Sequence, residues 1–573
     1  MKLIAFLVAV ALALLVHRPL PPIVTMGNQL LAILGWGLVL LLAPAPALQR
    51  STVRASAPLL LFFAIVAGAC ALGIATGSQP SPPGIGILGI IALAAAVMLH
   101  GVSAGASDPA GYFRAFAIAL VVCGVCGAVI ALLQNFALGA IDNDLIALPV
   151  VRGRAGGNLG QPNHFADTML WGLIAVVPLA RAWQAPAGAR LARAGWCLAA
   201  LLMLVGVVLT GSRTALVTLV LMAAWGLADR HLARPLRIGL AISPVLALAI
   251  QWLVGAAARS AGVTLVLTDR GDVGVTAFRS EIWRSALALI QDQPWLGVGW
   301  GQFNFAWTLT PSFPRGAGLV DNVHNLPLQL AVELGVPAAL LLTGLLVWAF
   351  ARALRRVWRL PGDAGPVARS ALMIVAVMGL HSMLEYPLWF AYLLLPTAWA
   401  FGLALGTATA AGTAGAATFV AQPPLRAWRV LGLLMVVLAA SAWMDYLTIV
   451  DLFMPRATSL PLVQRIQRAQ ASPLFANQAD YVVITDLPTT PELLPLVQSS
   501  AHVLLNGRLM YAWANLLDAR GEVDKARFMA ARLREFDMDG PKPWFAPCAD
   551  PAVTAKPFQC LAPEHPVTWR DFR

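Results

Sequence analysis

The feature that most restricts this sequence is a series of apolar stretches along its first 450 residues. Several exceed the roughly 20 residues that a helix needs to cross the hydrocarbon core of a bilayer. The sequence therefore predicts an all-α polytopic membrane protein with about 13 transmembrane helices. The stretches lie near residues 3–16, 30–43, 57–76, 84–100, 115–138, 165–180, 194–209, 214–228, 237–257, 326–351, 370–384, 388–408 and 428–447.

Composition agrees with this class, because 59% of the 573 residues are hydrophobic and only 12% are charged. The first stretch follows Lys2 and ends in His17-Arg18-Pro19 without a small-residue cleavage site, which indicates an uncleaved span. The formal charge of +12 belongs to the membrane part, since the residues from Asp451 onward balance. We interpret the excess as a topology signal, with no reason to expect nucleic acid as a partner.

Arginines orient the predicted spans. Those in alternate connections fall on one side if Met1 is cytoplasmic, as the positive-inside rule requires. An odd number of spans then puts the tail, with the loops near 139–164 and 258–325, on the periplasmic side. The orienting arginines are Arg50, Arg54, Arg114, Arg181, Arg190, Arg193, Arg230, Arg234, Arg237, Arg352, Arg355, Arg356, Arg359, Arg369, Arg426 and Arg429.

Other arginines break this rule and are more informative. Arg213 lies in a connection so short that it must be near the bilayer boundary, where an Arg is costly and therefore a functional candidate. The alternative is that its guanidinium snorkels to lipid headgroups. The arginines on the periplasmic side are Arg152, Arg154, Arg213, Arg259, Arg270, Arg279, Arg284 and Arg315.

The loop over residues 152–165 combines glycines, two arginines, three amides and an imidazole before a predicted helix. Arginines grip phosphate oxygens, and a helix N-terminus favours anions. We therefore predict a polar binding surface that includes Arg154, Asn163 and His164. A turn that merely joins two helices is the alternative, and it leaves the density of polar residues unexplained.

His324 ends the long periplasmic loop and precedes an apolar helix. An imidazole at a membrane boundary is a candidate general base, although it could instead cap or anchor that helix. Earlier in the loop, residues 278–290 show an amphipathic helical pattern, which predicts a helix against the membrane surface with Trp283 and Trp295 at the interface. Arg279, at its start, could point into a cleft.

Two short motifs suggest other chemistry. Asp142-Asn143-Asp144 has the spacing of metal-dependent glycosyltransferases, but such a triplet arises easily by chance in a polar loop, and we predict no metal. Cys123 and Cys126 have redox spacing but lie within a predicted span, where buried packing thiols are expected.

Six short motifs follow one another along the chain. They are Gly160–His164, Gly211–Ala215, Arg279 with Trp283, Pro294–Gly299, His324-Asn325 with Glu333 and Gly335, and Glu385–Trp389. Taken in order, they resemble the O-antigen ligase superfamily and, within it, the bacterial protein O-oligosaccharyltransferases of the PglL type. The resemblance runs over nearly the whole membrane part, and the Gln-Pro-Asn-His and Glu-Tyr-Pro-Leu-Trp sequences favour the protein-glycosylating branch.

The resemblance implies a GT-C-like, inner-membrane transferase that needs no metal or cofactor. It would move a glycan from undecaprenyl diphosphate to a Ser or Thr of an exported protein such as a pilin, with inversion. It assigns His324 the role of base, Arg213 and Arg279 the diphosphate, and Gln161 and Tyr386 a part in glycan transfer.

Three other functions stay open: an O-antigen ligase acting on lipid A–core, an O-antigen polymerase, and a lipid-linked glycan transporter. A transporter should carry ionisable residues inside several spans. His381 and Glu385 are the nearest candidates, both close to the periplasmic boundary, whereas the polar density lies in external loops.

The sequence predicts two domains, a transmembrane transferase domain over 1–450 and a periplasmic helical domain over 451–573. In the latter, residues 511–517 and 522–533 read as two amphipathic helices joined at Gly521, similar to a tetratricopeptide unit. This pair could present a groove to protein acceptors or cover the active site. Cys548 and Cys560 would lie in an oxidising compartment, which predicts a disulfide.

Overall fold

The computed structural model is helical in all the regular structure that it describes, apart from one isolated bridge between Val151 and Arg154. The described residues are 1–141, 143–180, 190–260, 262–266, 273–311, 313, 315, 319–413, 426–488, 490–536 and 542–573. Asp142, Arg181 and Arg270, which entered the sequence predictions, lie outside them.

The helices are numbered in chain order. They are α1 (Lys2–Leu15), α2 (Met26–Leu42), α3 (Arg50–Ala75), α4 (Ser81–Ser107), α5 (Pro109–Phe136), α6 (Pro162–Leu179), α7 (Arg190–Leu209), α8 (Arg213–Ala228), α9 (Arg234–Ser260), α10 (Val273–Asp292), α11 (Phe303–Leu309), α12 (Leu326–Leu334), α13 (Val336–Val357), α14 (Ala364–His381), α15 (Ala391–Thr413), α16 (Arg426–Phe453), α17 (Leu462–Gln470), α18 (Ala476–Asp486), α19 (Leu494–Ala501), α20 (Gly507–Ala519), α21 (Val523–Arg534) and α22 (Lys542–Ala549).

Nine helices among the described residues are long and apolar enough to cross a membrane, namely α3, α4, α5, α7, α9, α13, α14, α15 and α16. Three shorter apolar helices, α1, α2 and α8, accompany them. The prediction of an all-α polytopic membrane protein is confirmed. The number of 13 spans stays a prediction.

One predicted stretch, 326–351, is not a single helix. The chain breaks at Gly335, which has φ 81° and separates α12 from α13. A Cβ at this position would clash with the backbone oxygen of Trp295, and the next residue, Val336, donates its N–H to the oxygen of Pro294 at 2.8 Å. At nine residues, α12 is far below the roughly 20 needed to cross a bilayer, so the helix after His324 is not itself a span.

The chain forms two compact units. The first contains Met1–Leu61, Ala92–Arg270 and Leu345–Trp443, and the second contains Phe62–Ile91, Gly271–Gly344 and Met444–Arg573. The predicted division into 1–450 and 451–573 stays a prediction.

The first unit is a helix bundle with an aromatic core. Phe6, Trp36, Phe116 and Trp399 are fully buried, and their ring centroids lie 4.9–6.2 Å apart. Helices α4 and α15 approach closely, since a Cβ at Gly402 would clash with the oxygen of Met98. Small residues of this kind allow membrane helices to pack backbone against backbone.

The second unit has a soluble-type core built from α10, α11, α12 and α18 to α21. Ile282, Ala286 and Leu289, the apolar face of α10, are buried in that core. The prediction that this face lies against the membrane surface is therefore wrong, because protein covers it. Trp283 is also half-buried, whereas Trp295 is 75% exposed.

Helices α20 and α21 pack against each other around Gly521, which has φ 78°, so the predicted helix pair is confirmed. Cys548 and Cys560 form the predicted disulfide. Cys123 is buried as expected, but Cys126 is exposed on the surface of α5, so the packing prediction holds for Cys123 alone.

Candidate functional site

The Arg154 side chain lies against the turn that leads to Arg213. Its Nε donates to the Thr210 oxygen at 2.9 Å, and the next residue, Ala155, donates its N–H to the Leu209 oxygen at 3.0 Å. Gly153, with φ 79°, packs so closely on Thr264 that a Cβ there would clash with its oxygen. The polar loop and the Gly-Ser-Arg turn thus form one structure within the first unit.

Arg213 is the first residue of α8, and its side chain is exposed. Gly211 turns the chain with φ 60°, and Ser212 caps the helix by accepting the Ala215 N–H at 3.2 Å. A guanidinium at a helix N-terminus adds its charge to the positive end of the helix dipole. This arrangement suits a phosphate-bearing ligand.

The Gln-Pro-Asn-His segment starts α6. Gln161 caps the helix by accepting the His164 N–H at 2.9 Å, and it is half-buried. Asn163 donates to a Glu385 oxygen at 3.3 Å, and His164 Nδ1 hydrogen bonds the Tyr392 hydroxyl at 2.9 Å. Asn163 and His164, which were predicted to form part of a polar binding surface, are thus buried against protein partners. Their roles in substrate binding stay predictions.

The Glu-Tyr-Pro-Leu-Trp segment meets the same helix start. Tyr386 is half-buried and stacks on Phe390, with ring centroids 5.9 Å apart, and Phe390 packs on the His164 ring at 4.6 Å. The structure therefore joins the Gln161 and Tyr386 motifs, which are more than 200 residues apart in sequence.

The sequence analysis named His381 but missed its buried partner, Asp167. Asp167, one helical turn after His164, lies 2.6 Å from His381 Nδ1, and both side chains are almost inaccessible. A single Asp within an apolar helix is itself a signal of function in membrane proteins, and it could have been used.

His324 belongs to the second unit and has an unusual backbone. Its φ of 57° is the only positive φ of a non-glycine residue in the described part of the chain. Its N–H donates to Asn322 Oδ1 at 2.8 Å, and its side chain is half-buried. Asn325 follows as the cap of α12, accepting the Leu328 N–H at 3.0 Å.

Two side chains from other positions hold the residue before His324. Gln329 Oε1 accepts the Val323 N–H at 2.7 Å, and Trp283 Nε1 donates to the Val323 oxygen at 3.0 Å. Arg279 lies one helical turn before Trp283 on α10, so it occupies the side of that helix that meets the His324 loop. The sequence analysis used Trp283 only as part of a motif and missed Gln329.

Glu333, near the end of α12, is a buried titratable group beside this loop. It accepts the Gln329 side-chain N–H at 2.9 Å and the Phe303 N–H at 3.5 Å. Burial raises the pKa of its carboxyl to about 7, although hydrogen bonds from Gly301, Gln329 and Phe303 act in the opposite direction. Gln329 and Phe303 thus hold this buried carboxyl in place.

No group of three His, Cys, Asp or Glu side chains that could hold a metal is present in the described ranges. Asp142 of the Asp-x-Asp triplet lies outside them. The predicted independence from metal therefore stays a prediction.

Comparison with known proteins gives three family matches. Residues 198–343 match the O-antigen ligase model, residues 155–179 a protein glycosylation ligase model, and residues 370–539 the C-terminal part of a virulence factor membrane-bound polymerase model.

A general O-oligosaccharyltransferase of Acinetobacter baylyi is 29% identical over 169 residues. That match covers 29% of this chain and 27% of the relative's length. Parts of the chain are therefore similar to O-antigen ligases and to protein glycosylation ligases, in agreement with the resemblance that its motifs carry.

Proposed function

We propose that this protein transfers a glycan en bloc from undecaprenyl diphosphate to Ser or Thr hydroxyls of exported proteins such as pilins. Transfer takes place on the periplasmic side of the bacterial inner membrane, without a metal or cofactor. The observation that carries the proposal is His324, an imidazole held in a left-handed backbone at the end of a structured loop.

The reaction requires that the donor is bound, that the charge on the leaving diphosphate is stabilised and that a base accepts the hydroxyl proton. The acceptor oxygen attacks the anomeric carbon, the bond from that carbon to the diphosphate oxygen breaks, and its electrons leave with undecaprenyl diphosphate. The hydroxyl proton passes to the His324 imidazole, an effect typically worth about 10²–10⁴-fold in rate. Attack opposite the leaving group inverts the anomeric centre.

Arginine supplies the charge stabilisation. Arg213, exposed at the start of α8, and Arg279, half-buried on α10, bind diphosphate oxygens through their planar forks. Gln161 and Tyr386 orient the glycan, and Arg154, fixed at the turn before α8, adds positive charge beside Arg213. Asn163 and His164 are buried in the first turn of α6 and support Gln161, the cap of that helix.

A second candidate changes only the acceptor. The match of residues 370–539 to a membrane-bound polymerase model supports transfer to another lipid-linked glycan, and the O-antigen ligase match supports transfer to lipid A–core sugar. Both reactions use the same donor and the same base. A lipid-linked glycan transporter is the least supported alternative.

The test uses cells that build a lipid-linked glycan, lack their own transferase and export a pilin-like acceptor. Mass spectrometry should find glycan on a Ser or Thr with the wild type and with His565→Ala, a control at an exposed histidine of the tail. His324→Ala should leave the acceptor unmodified. EDTA added to the purified reaction should not reduce transfer.

Newly decorated lipopolysaccharide with unmodified pilin would favour the ligase. Longer lipid-linked glycans would favour the polymerase. Full activity of His324→Ala would remove His324 as base.

A further inference from the structure

The backbone of His324 needs support from its surroundings. Left-handed φ values are disfavoured for residues with a Cβ, and His324 has φ 57°. Such a conformation persists only where neighbouring contacts over-determine it, and residues held this way cluster at functional sites.

Gln329 holds the peptide before His324 in a way that fixes the direction of its own amide. The Val323 N–H can only donate, so the Gln329 atom 2.7 Å away must be the oxygen. The Gln329 nitrogen is then the donor to Glu333 Oε1 at 2.9 Å. The Val323 N–H and the Glu333 oxygen together fix which end of the Gln329 amide faces the loop.

Glu333 is itself fixed to a second segment. Its side chain accepts the Phe303 N–H, and its backbone oxygen accepts the Gly299 N–H at 3.0 Å. Gln329 is 3% exposed and Glu333 is 4% exposed, so water cannot readily replace either partner. Buried networks of this kind rigidify the groups that they connect.

We infer that Gln329 and Glu333 are positioning residues that fix the His324 loop through the chain of hydrogen bonds from Val323 to Gln329 to Glu333. This inference rests on the proposed function, in which His324 accepts the hydroxyl proton. Gln329 and Glu333 act through the backbone of the loop and do not contact substrate.

The experiment compares Gln329→Leu, Glu333→Leu and Glu333→Gln in the purified full-length chain. The matched control is Gln559→Leu, which removes another buried glutamine whose amide donates to the Trp544 oxygen at 3.2 Å. Transfer is measured with the lipid-linked glycan extracted from the host membranes and a pilin-like acceptor.

Gln329→Leu and Glu333→Leu should lower kcat by about 10- to 100-fold, as expected for a displaced catalytic group, while KM for the donor stays within about twofold. Glu333→Gln retains a carbonyl oxygen for the Gln329 amide and should retain kcat within about threefold. Wild-type kcat in Gln329→Leu, or an equal loss in Gln559→Leu, would overturn the inference.

Hydrogen exchange provides a readout that does not depend on activity. The amides of residues 322–326 and of Leu328 should exchange faster in Gln329→Leu, and their exchange should be unchanged in Gln559→Leu. If the wild type glycosylates no hydroxyl, the proposed function fails and the exchange result alone decides the inference. Unchanged exchange in Gln329→Leu would overturn it.

Discussion

The buried Glu333 carboxyl should make the stability of the second unit depend on pH. Below the ordinary Glu pKa of 4.5, folded and unfolded chains both carry a protonated Glu333, so the group adds no penalty. Between pH 4.5 and about 7 the unfolded chain releases the proton while burial keeps it on the folded chain. The free energy of unfolding therefore falls as pH rises through this window, and the loss persists above it.

The size of this loss in free energy of unfolding follows from the pKa shift of Glu333. One pKa unit corresponds to about 1.4 kcal/mol, so a rise from 4.5 to about 7 gives a loss of about 3 kcal/mol. Glu333→Gln keeps a neutral acceptor in the same place and removes the titration. The two proteins should be similarly stable at pH 4.5, and Glu333→Gln should be more stable by up to about 3 kcal/mol at pH 7.5.

The assay is equilibrium unfolding of both proteins in detergent at several pH values from 4.5 to 8. Tail fluorescence and hydrogen exchange in α12 separate the second unit from the helix bundle. Only the difference between the two proteins matters, because other titrating groups cancel. Parallel pH profiles would show that Glu333 titrates normally and would refute the reasoning.

Three further predictions concern stability elsewhere. Replacing Cys548 and Cys560 by Ser should destabilise the tail by about 3 kcal/mol, the value expected for a short closed loop, measured by thermal unfolding with and without reductant. Arg369→Met should cost about 3–5 kcal/mol, because it leaves Asp229 buried without the guanidinium 2.6 Å away, and adding Asp229→Asn should recover much of the loss in a double-mutant cycle. His324→Gly should have a free energy of unfolding about 0.5–1 kcal/mol higher than that of His324→Ala. Glycine adopts φ 57° without strain, and this gain exceeds the cost of the greater freedom that glycine gives the unfolded chain. Equal free energies of unfolding would contradict backbone strain at this position.

The helical architecture could be predicted because long apolar stretches leave a bilayer span few alternatives. The break at Gly335 could not, since the stretch 326–351 is apolar throughout and only the close approach of the Trp295 backbone explains the glycine. The surface of α10 was misjudged for a related reason. An amphipathic pattern indicates which face of a helix is buried, but it does not distinguish protein from lipid as the covering. In α10 the apolar face is buried against protein of the second unit.

The motifs of the candidate site could be predicted from the sequence, but the contacts between their residues could not. Sequence order placed the Gln161 and Tyr386 motifs far apart, and the stacking of Tyr386, Phe390 and His164 became visible only in the fold. Gln329 carried no signal of its own, because a glutamine in an apolar helix has many possible explanations. Its role depends on the hydrogen bonds to Val323 and Glu333.

In three of the motifs, a polar side chain caps the start of a helix. Gln161, Ser212 and Asn325 each accept an N–H from the first turn of the helix that follows. Helix capping therefore accounts for part of the polar density that suggested binding in the sequence.

The residues that capping does not explain lie beside those caps. Arg213 follows one cap and His324 precedes another, so each cap fixes the backbone from which a charged or titratable side chain extends. Replacing a cap should therefore impair transfer by displacing its neighbour, whereas replacing Arg213 or His324 should abolish binding or chemistry with the helix start intact.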